Sequence, residues 1–168
     1  MTGLPESVER ALERHDAFTR VDDEFAVGTT RLDAVVTAAP TGDDRDGAFR
    51  VTVRIPTLDA VVEGETVPPV VEDGWFETLE LRLEDAFDVA HTLDHDDPTV
   101  ERRGETVVAT FTYRSGSART GVEDAKAVAE FAEGTFVQGI VPGYDYGGPA
   151  AELLTNATQG GSSRSGGP

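Results

Sequence analysis

Apolar residues recur along this chain with two distinct periods, and the switch between them outlines the fold. From Leu4 to His15 the apolar positions Leu4, Val8, Ala11 and Leu12 fall at i, i+4, i+7 and i+8. Pro5 stands where a first-turn proline is tolerated, and Glu6 and Glu9 suit the positive helix end. The spacing predicts an amphipathic helix closed by His15. Strand patterning follows: a short Phe18–Val21 segment, a polar Asp22-Asp23-Glu24 turn, and Phe25 and Val27 resuming the pattern before Gly28. Leu32–Ala38 predicts a second strand, and Thr41-Gly42-Asp43-Asp44-Arg45-Asp46-Gly47 reads as a loop by its Gly and Asp content. Phe49–Ile55 alternates cleanly, with Phe49, Val51, Val53 and Ile55 on one face and Arg50, Thr52 and Arg54 on the other. One dry and one wet face suit an antiparallel sheet.

Thr57–Glu72 carries Gly64 and Pro68-Pro69 and reads as a crossover connection holding at most a short strand. Asp73-Gly74 then offers an N-cap, and Trp75, Phe76, Leu79, Leu83, Ala86 and Phe87 follow helical spacing. Leu79, Leu81 and Leu83 also alternate, so helix and strand compete over Trp75–Phe87; length and the cap favour helix. After a polar His91–Pro98 loop, Val100–Arg102 and Thr106–Tyr113 flank Arg103-Gly104-Glu105 as a hairpin, burying Val107, Ala109, Phe111 and Tyr113. Gly121–Val141 predicts a long helix with Val122, Ala125, Ala129, Ala132, Phe136 and Ile140 on its buried face, stopped by Pro142-Gly143.

The predicted order is α-β-β-β-α-β-β-α: an α+β fold in which helices cover an antiparallel sheet, one domain over residues 1–154. Residues 155–168 are mostly Gly, Ser, Thr and Pro with almost nothing apolar, and are expected to be a disordered tail. This element order, with its Phe18–Ile55 meander, is similar to the small α+β fold of type III secretion chaperones and YbjN-like proteins; the long Thr57–Glu72 link departs from it. The stretch from Leu4 to Leu154, including Phe18-Thr-Arg-Val, Asp73-Gly-Trp-Phe and Phe131-Ala-Glu-Gly, resembles an uncharacterised family of small acidic haloarchaeal proteins. That resemblance implies no catalytic residues.

Charge alters the picture most. The 168 residues hold 32 Asp and Glu against 14 Lys and Arg, a formal charge of −18, and Lys126 is the one lysine. The acids are spread among the apolar segments rather than gathered in a block. Such a chain repels itself in dilute buffer, and multimolar salt, with a Debye length of about 3 Å or less, removes most of that penalty. The composition resembles that of a salt-adapted, cytoplasmic archaeal protein, for which hydrated cations at the acidic surface are expected; the alternative is an acidic protein of ordinary cytosol. The acidity argues against nucleic acid as a partner. No apolar run approaches 18 residues, which argues against a membrane partner, and Met1–Arg14 has no apolar export core. The absence of Cys excludes a disulfide scaffold, a thiol enzyme and a Cys-ligated zinc site.

Chemistry-bearing clusters are few. His91, Asp94 and His95 are imidazole and carboxylate donors on one short loop, suited to zinc, manganese or iron, and would serve a small metal-dependent hydrolase. Arg102 and Arg103, with Arg114 and Arg119 brought near by the hairpin, form the one basic concentration; Arg50 and Arg54 extend it. Arg114-Ser-Gly-Ser-Ala-Arg119 is a Gly/Ser turn before a helix but lacks the P-loop ending, and no nucleophile elbow or dinucleotide fingerprint occurs. Tyr144 and Tyr146 stand on an irregular segment as a docking motif or as part of the core. The leading expectation is a non-enzymatic binding or adaptor module without cofactors, its partner another protein or a second copy, met through the sheet or the last helix. The alternative is the metal-dependent hydrolase.

Overall fold

A computed structural model describes residues 4–155. The chain runs α1 (Glu6–Arg14), β1 (Phe18–Val21), β2 (Glu24–Val27), β3 (Asp33–Ala39), β4 (Gly47–Pro56), α2 (Leu58–Val61), β5 (Val62–Glu63), α3 (Pro69–Leu83), a 3-10 turn (Ala86–Val89), β6 (Thr99–Arg103), β7 (Thr106–Ser115), α4 (Ala118–Gln138) and β8 (Asp145–Tyr146). A last helix, α5, covers residues 148–155. It takes in Thr155, where the tail was expected to begin; the remainder of that expected tail lies outside the described residues.

Six strands form one antiparallel sheet in the order β1-β2-β3-β4-β7-β6. The fold is α+β, as the alternation implied, and its main sheet has one more strand than the five expected. Asp22 and Asp23 make a two-residue turn with Asp22 at φ 56°, so the Phe18–Val27 segment folds on itself as a hairpin. Asp tolerates that left-handed conformation better than most residues do. The β6–β7 turn uses Gly104 at φ 60° for the same purpose.

The dry face of the sheet is continuous. Phe25, Val36, Val51 and Phe111 lie in one paired row, and Phe49, Val53, Ile55, Val107, Ala109 and Tyr113 extend it, each at most 1% exposed. Against it pack Val8 and Leu12 of α1 and Val122, Ala125, Ala129, Ala132 and Phe136 of α4. The approach of α4 depends on Gly121, where an added Cβ would sit 2.3 Å from Phe49 Cε1. That helix starts at Ser117, whose Oγ accepts the Thr120 N–H at 3.3 Å, while Asp46 in the β3–β4 loop accepts the Ala118 N–H at 2.7 Å.

Two expectations about the middle of the chain change. Helix wins over strand at Trp75, but α3 begins at Pro69 rather than at Asp73-Gly74, because Pro69 is pre-set for a first helical turn and needs no N–H partner. Trp75, Leu79 and Leu83 are its buried stripe, and the indole Nε1 of Trp75 finds no acceptor among the described residues. The Thr57–Glu72 connection holds a single helical turn, α2, capped by Thr57, and a two-residue strand, β5, that pairs with β8 as a separate small sheet. α4 ends at Gln138, capped by Gly139, before the expected Pro142-Gly143 stop.

Candidate functional site

The three candidate metal donors, His91, Asp94 and His95, each engage a different partner. Asp124, wholly buried on α4, accepts the His91 backbone N–H at 2.7 Å, its ring Nδ1 at 2.9 Å and the Thr92 N–H at 3.0 Å. His95 stacks on Phe87 with ring centroids 4.0 Å apart, and its Nδ1 lies 2.9 Å from the Asp96 carbonyl. Asp94 pairs with Arg45 and, at 2.9 Å, with Arg114. His91, Asp94 and His95 therefore do not converge, and among the described residues no three His, Cys, Asp or Glu side chains are grouped as a metal ion would need. The loop lacks the helical conformation in which i and i+4 share a face, so the spacing carries no common direction. His91, Asp94, Arg45, Arg114, Ser117 and Thr120 do line one open recess of about 580 Å³.

The basic residues are also distributed. Arg102 lies over the Phe76 ring at 4.8 Å and pairs with Asp73 at 3.0 Å. Arg103 pairs with Glu101, two residues along the same strand. Arg114 pairs with Asp94 and Asp96, and Arg45 binds Asp43 at 2.7 Å. Hydrogen bonds from the Arg45 guanidinium, and then from Thr41, hold the Asp43 carboxyl well below the usual carboxylate range. Arg119 lines a separate recess between α1 and α4, where His15 Nε2 meets Glu123 at 2.7 Å. Tyr146 sits in β8, donates its hydroxyl to the Val141 carbonyl and is pushed above its ordinary pKa by burial. Tyr144 meets its ring edge-on at 6.4 Å, and both pack against the core.

What the strands bring together is a surface. In the paired strands the outward positions are Thr19, Val21, Glu24 and Ala26; Asp33, Val35, Thr37 and Ala39; Ala48, Arg50, Thr52, Arg54 and Pro56; and, on β6 and β7, Thr99, Glu101, Arg103, Thr106, Val108, Thr110, Thr112 and Arg114. None of them is buried, so no described element covers this side of the sheet. The register lines up Thr19, Ala26, Val35, Thr52, Thr110 and Thr99 in a row that crosses all six strands without a charge. On the whole face, four arginines (Arg50, Arg54, Arg103, Arg114) stand against three carboxylates (Glu24, Asp33, Glu101), in a chain of net charge −18.

The charges on this face are sorted by strand. Glu24 and Asp33 occupy β2 and β3; Arg50 and Arg54 occupy β4. Arg54 reaches Asp33 only at 3.7 Å, with both side chains more than half exposed. Arg50 makes no ion pair among the described residues. Arg50 and Arg54 were legible as a wet strand face. The neutral row was not, since it exists only once β2, β3, β4, β7 and β6 are aligned.

Residues 13–156 match the model of a family of unknown function, DUF5813, and the chain belongs to that family. Neither a curated protein nor a solved structure matches it, so the likeness to type III secretion chaperones rests on element order. Among the described residues no helix is long and apolar enough to cross a membrane.

Proposed function

We propose that this DUF5813 protein is a non-enzymatic binding module whose contact surface is the uncovered face of its six-stranded sheet, and that the occupant is a protein surface. The observation that carries this reading is the contrast in charge: a nearly neutral, Thr- and Val-rich face in a chain of −18. Interfaces are depleted of charge at their centres, and a solvent-adapted acidic protein has reason to keep carboxylates off such a face only if something other than brine meets it. The flatness of a paired sheet suits a macromolecule better than a small ligand, which favours a concave pocket. The acids elsewhere, such as Glu77 and Glu80 on α3 and Glu84 just after it, fit the complementary role of a hydrated shell in the concentrated salt of a halophilic archaeal cytoplasm.

The test uses the absence of native cysteine. Thr52→Cys places a thiol at the centre of the open face, and Thr78→Cys places one on the exposed side of α3. Each variant is labelled with a maleimide in native cell extract and again as purified, highly diluted protein. Labelling of the Thr52→Cys variant slowed at least fivefold in extract, with the Thr78→Cys variant unaffected, supports the reading. Equal rates at position 52 in the two conditions overturn it.

A further inference from the structure

We infer that the occupant of the open face is a second copy of this chain, related by a two-fold axis that runs parallel to the strands between β3 and β4. This rests on the reading of that face as a contact surface and adds the partner and its geometry.

The argument starts from the sorting of charge. The sheet order places β3 and β4 at its centre, β2 and β7 next, and β1 and β6 at the edges. A two-fold parallel to the strands keeps each residue's position along the strand and exchanges the two halves of the sheet. β4 of one copy then lies over β3 of the other, β7 over β2, and β6 over β1. Asp33 and Arg54 are register partners, so each Arg54 meets Asp33 of the other copy, twice per dimer. Arg50 meets Thr37 of the other copy. The register that pairs Ala26 with Val35 brings Glu24 level with Thr37 one strand away, about 4.8 Å, within reach of the arginine.

The uncharged row closes on itself under the same operation. Val35 opposes Thr52, Ala26 opposes Thr110, and Thr19 opposes Thr99. The competing two-fold, across the strands through Thr52, would stack Arg50 on Arg54 of the other copy, like charge on like. The distribution of Glu24, Asp33, Arg50 and Arg54 thus favours one operator over the other. Sheets stacked this way pack with strands within about 30° and about 10 Å between them, a spacing that Val and Thr side chains fill.

The size is also suitable. Six strands at ~4.8 Å spacing, with a mean length of about seven residues at ~3.3 Å each, give a face on the order of 650 Å² per copy. Standard-size interfaces bury about 600–1,000 Å² per partner. At the corner, Arg114 is already neutralised by Asp94 and Asp96, and Glu101 and Arg103 satisfy each other at the β6 edge. The charges left without a close partner are the central ones that the two-fold pairs.

The experiment exploits that pairing. Asp33→Arg places Arg over Arg54 in a homodimer, and Arg54→Asp places Asp over Asp33. Mixed in equal amounts, the two variants match at both contacts. Native protein and variants are compared by light scattering and sedimentation at the lowest salt at which circular dichroism shows the native fold. The expected result is twice the 17.9 kDa chain mass for the native protein, dimerisation weakened at least tenfold in each variant alone, and recovery to within about threefold in the mixture. A monomeric native protein, or a mixture no tighter than its components, overturns the two-fold pairing. If the thiol of the Thr52→Cys variant is nevertheless protected in extract, the open face still binds a protein and only the identity of the partner falls. Rescue in the mixture cannot come from the Asp33–Arg54 contact within one chain, because each variant has lost it.

Discussion

Asp124 and His91, 33 residues apart, are joined by two hydrogen bonds to one carboxylate oxygen: the His91 backbone N–H at 2.7 Å and its ring Nδ1 at 2.9 Å. The other oxygen takes the Thr92 N–H at 3.0 Å. Asp124 has no solvent exposure, whereas the His91 side chain is 75% exposed. The carboxylate therefore serves as an anchor that ties the loop after the 3-10 turn to α4, and the imidazole is the outermost part of that tie.

That asymmetry sets the cost of removing either partner. Asp124→Ala leaves two backbone N–H groups without an acceptor beside a new void, and should lower unfolding stability by about 3 kcal/mol. His91→Ala keeps both backbone donors satisfied and should cost about 1 kcal/mol or less. Urea midpoints of the two variants check the ranking. Equal losses would mean that the ring, not the backbone, makes the tie.

Tyr113 carries the alkaline limit of the fold. Its hydroxyl donates to the Gly121 carbonyl at 2.6 Å, and its pKa is raised well above the ordinary value, by burial first and by the neighbouring Asp124 second. A pKa higher in the folded state than in the unfolded state means that the associated stability is complete below pH about 10 and declines as pH rises further. Native stability should therefore fall between pH 9.5 and 11. Tyr113→Phe should lose about 1 kcal/mol at pH 8 through the missing hydrogen bond, yet decline less steeply with pH. Parallel slopes for the two proteins would contradict this.

Salt dependence tests the role assigned to the acids. Screening removes repulsion among carboxylates at distances beyond about 3 Å, so raising potassium chloride from 0.1 M to 3 M should raise Tm by about 10 °C. A small increment alone, 0.1 M to 0.3 M, should already produce a measurable part of that rise, since the Debye length shortens fastest at low salt. A Tm independent of salt would mean that the carboxylates are compensated inside the fold.

Much of the architecture was written in local periodicity. Alternation from Phe49 to Ile55 reported a sheet with one dry face, and the i, i+4 spacing from Val122 to Phe136 reported the helix that covers it. Where local signals competed, the chain chose by neighbours it could not display in one segment. Leu79, Leu81 and Leu83 fit two periods, and helix prevailed because Pro69 starts a turn long enough to lay Trp75, Leu79 and Leu83 on the core while leaving Leu81 in water. Asp124, within Val122-Glu123-Asp124-Ala125, has the same local pattern as the acids of a wet helix face. Its burial follows from the 3-10 turn at Ala86–Val89 packing against α4, a contact with no signature near residue 124.

The sequence by itself determined the class of fold, the dry face of the central strands and the acid excess, because each depends on composition or on a period of two or 3.6 residues that a short window contains. Only the tertiary structure decided which outward side chains share a row, that His91, Asp94 and His95 part company, and that β5 and β8 form a second sheet. Those relationships are set by pairing between segments as far apart as Arg54 and Val108, or Val62 and Tyr146. Strand register is a property of two chains of hydrogen bonds meeting, and a single segment does not contain its partner.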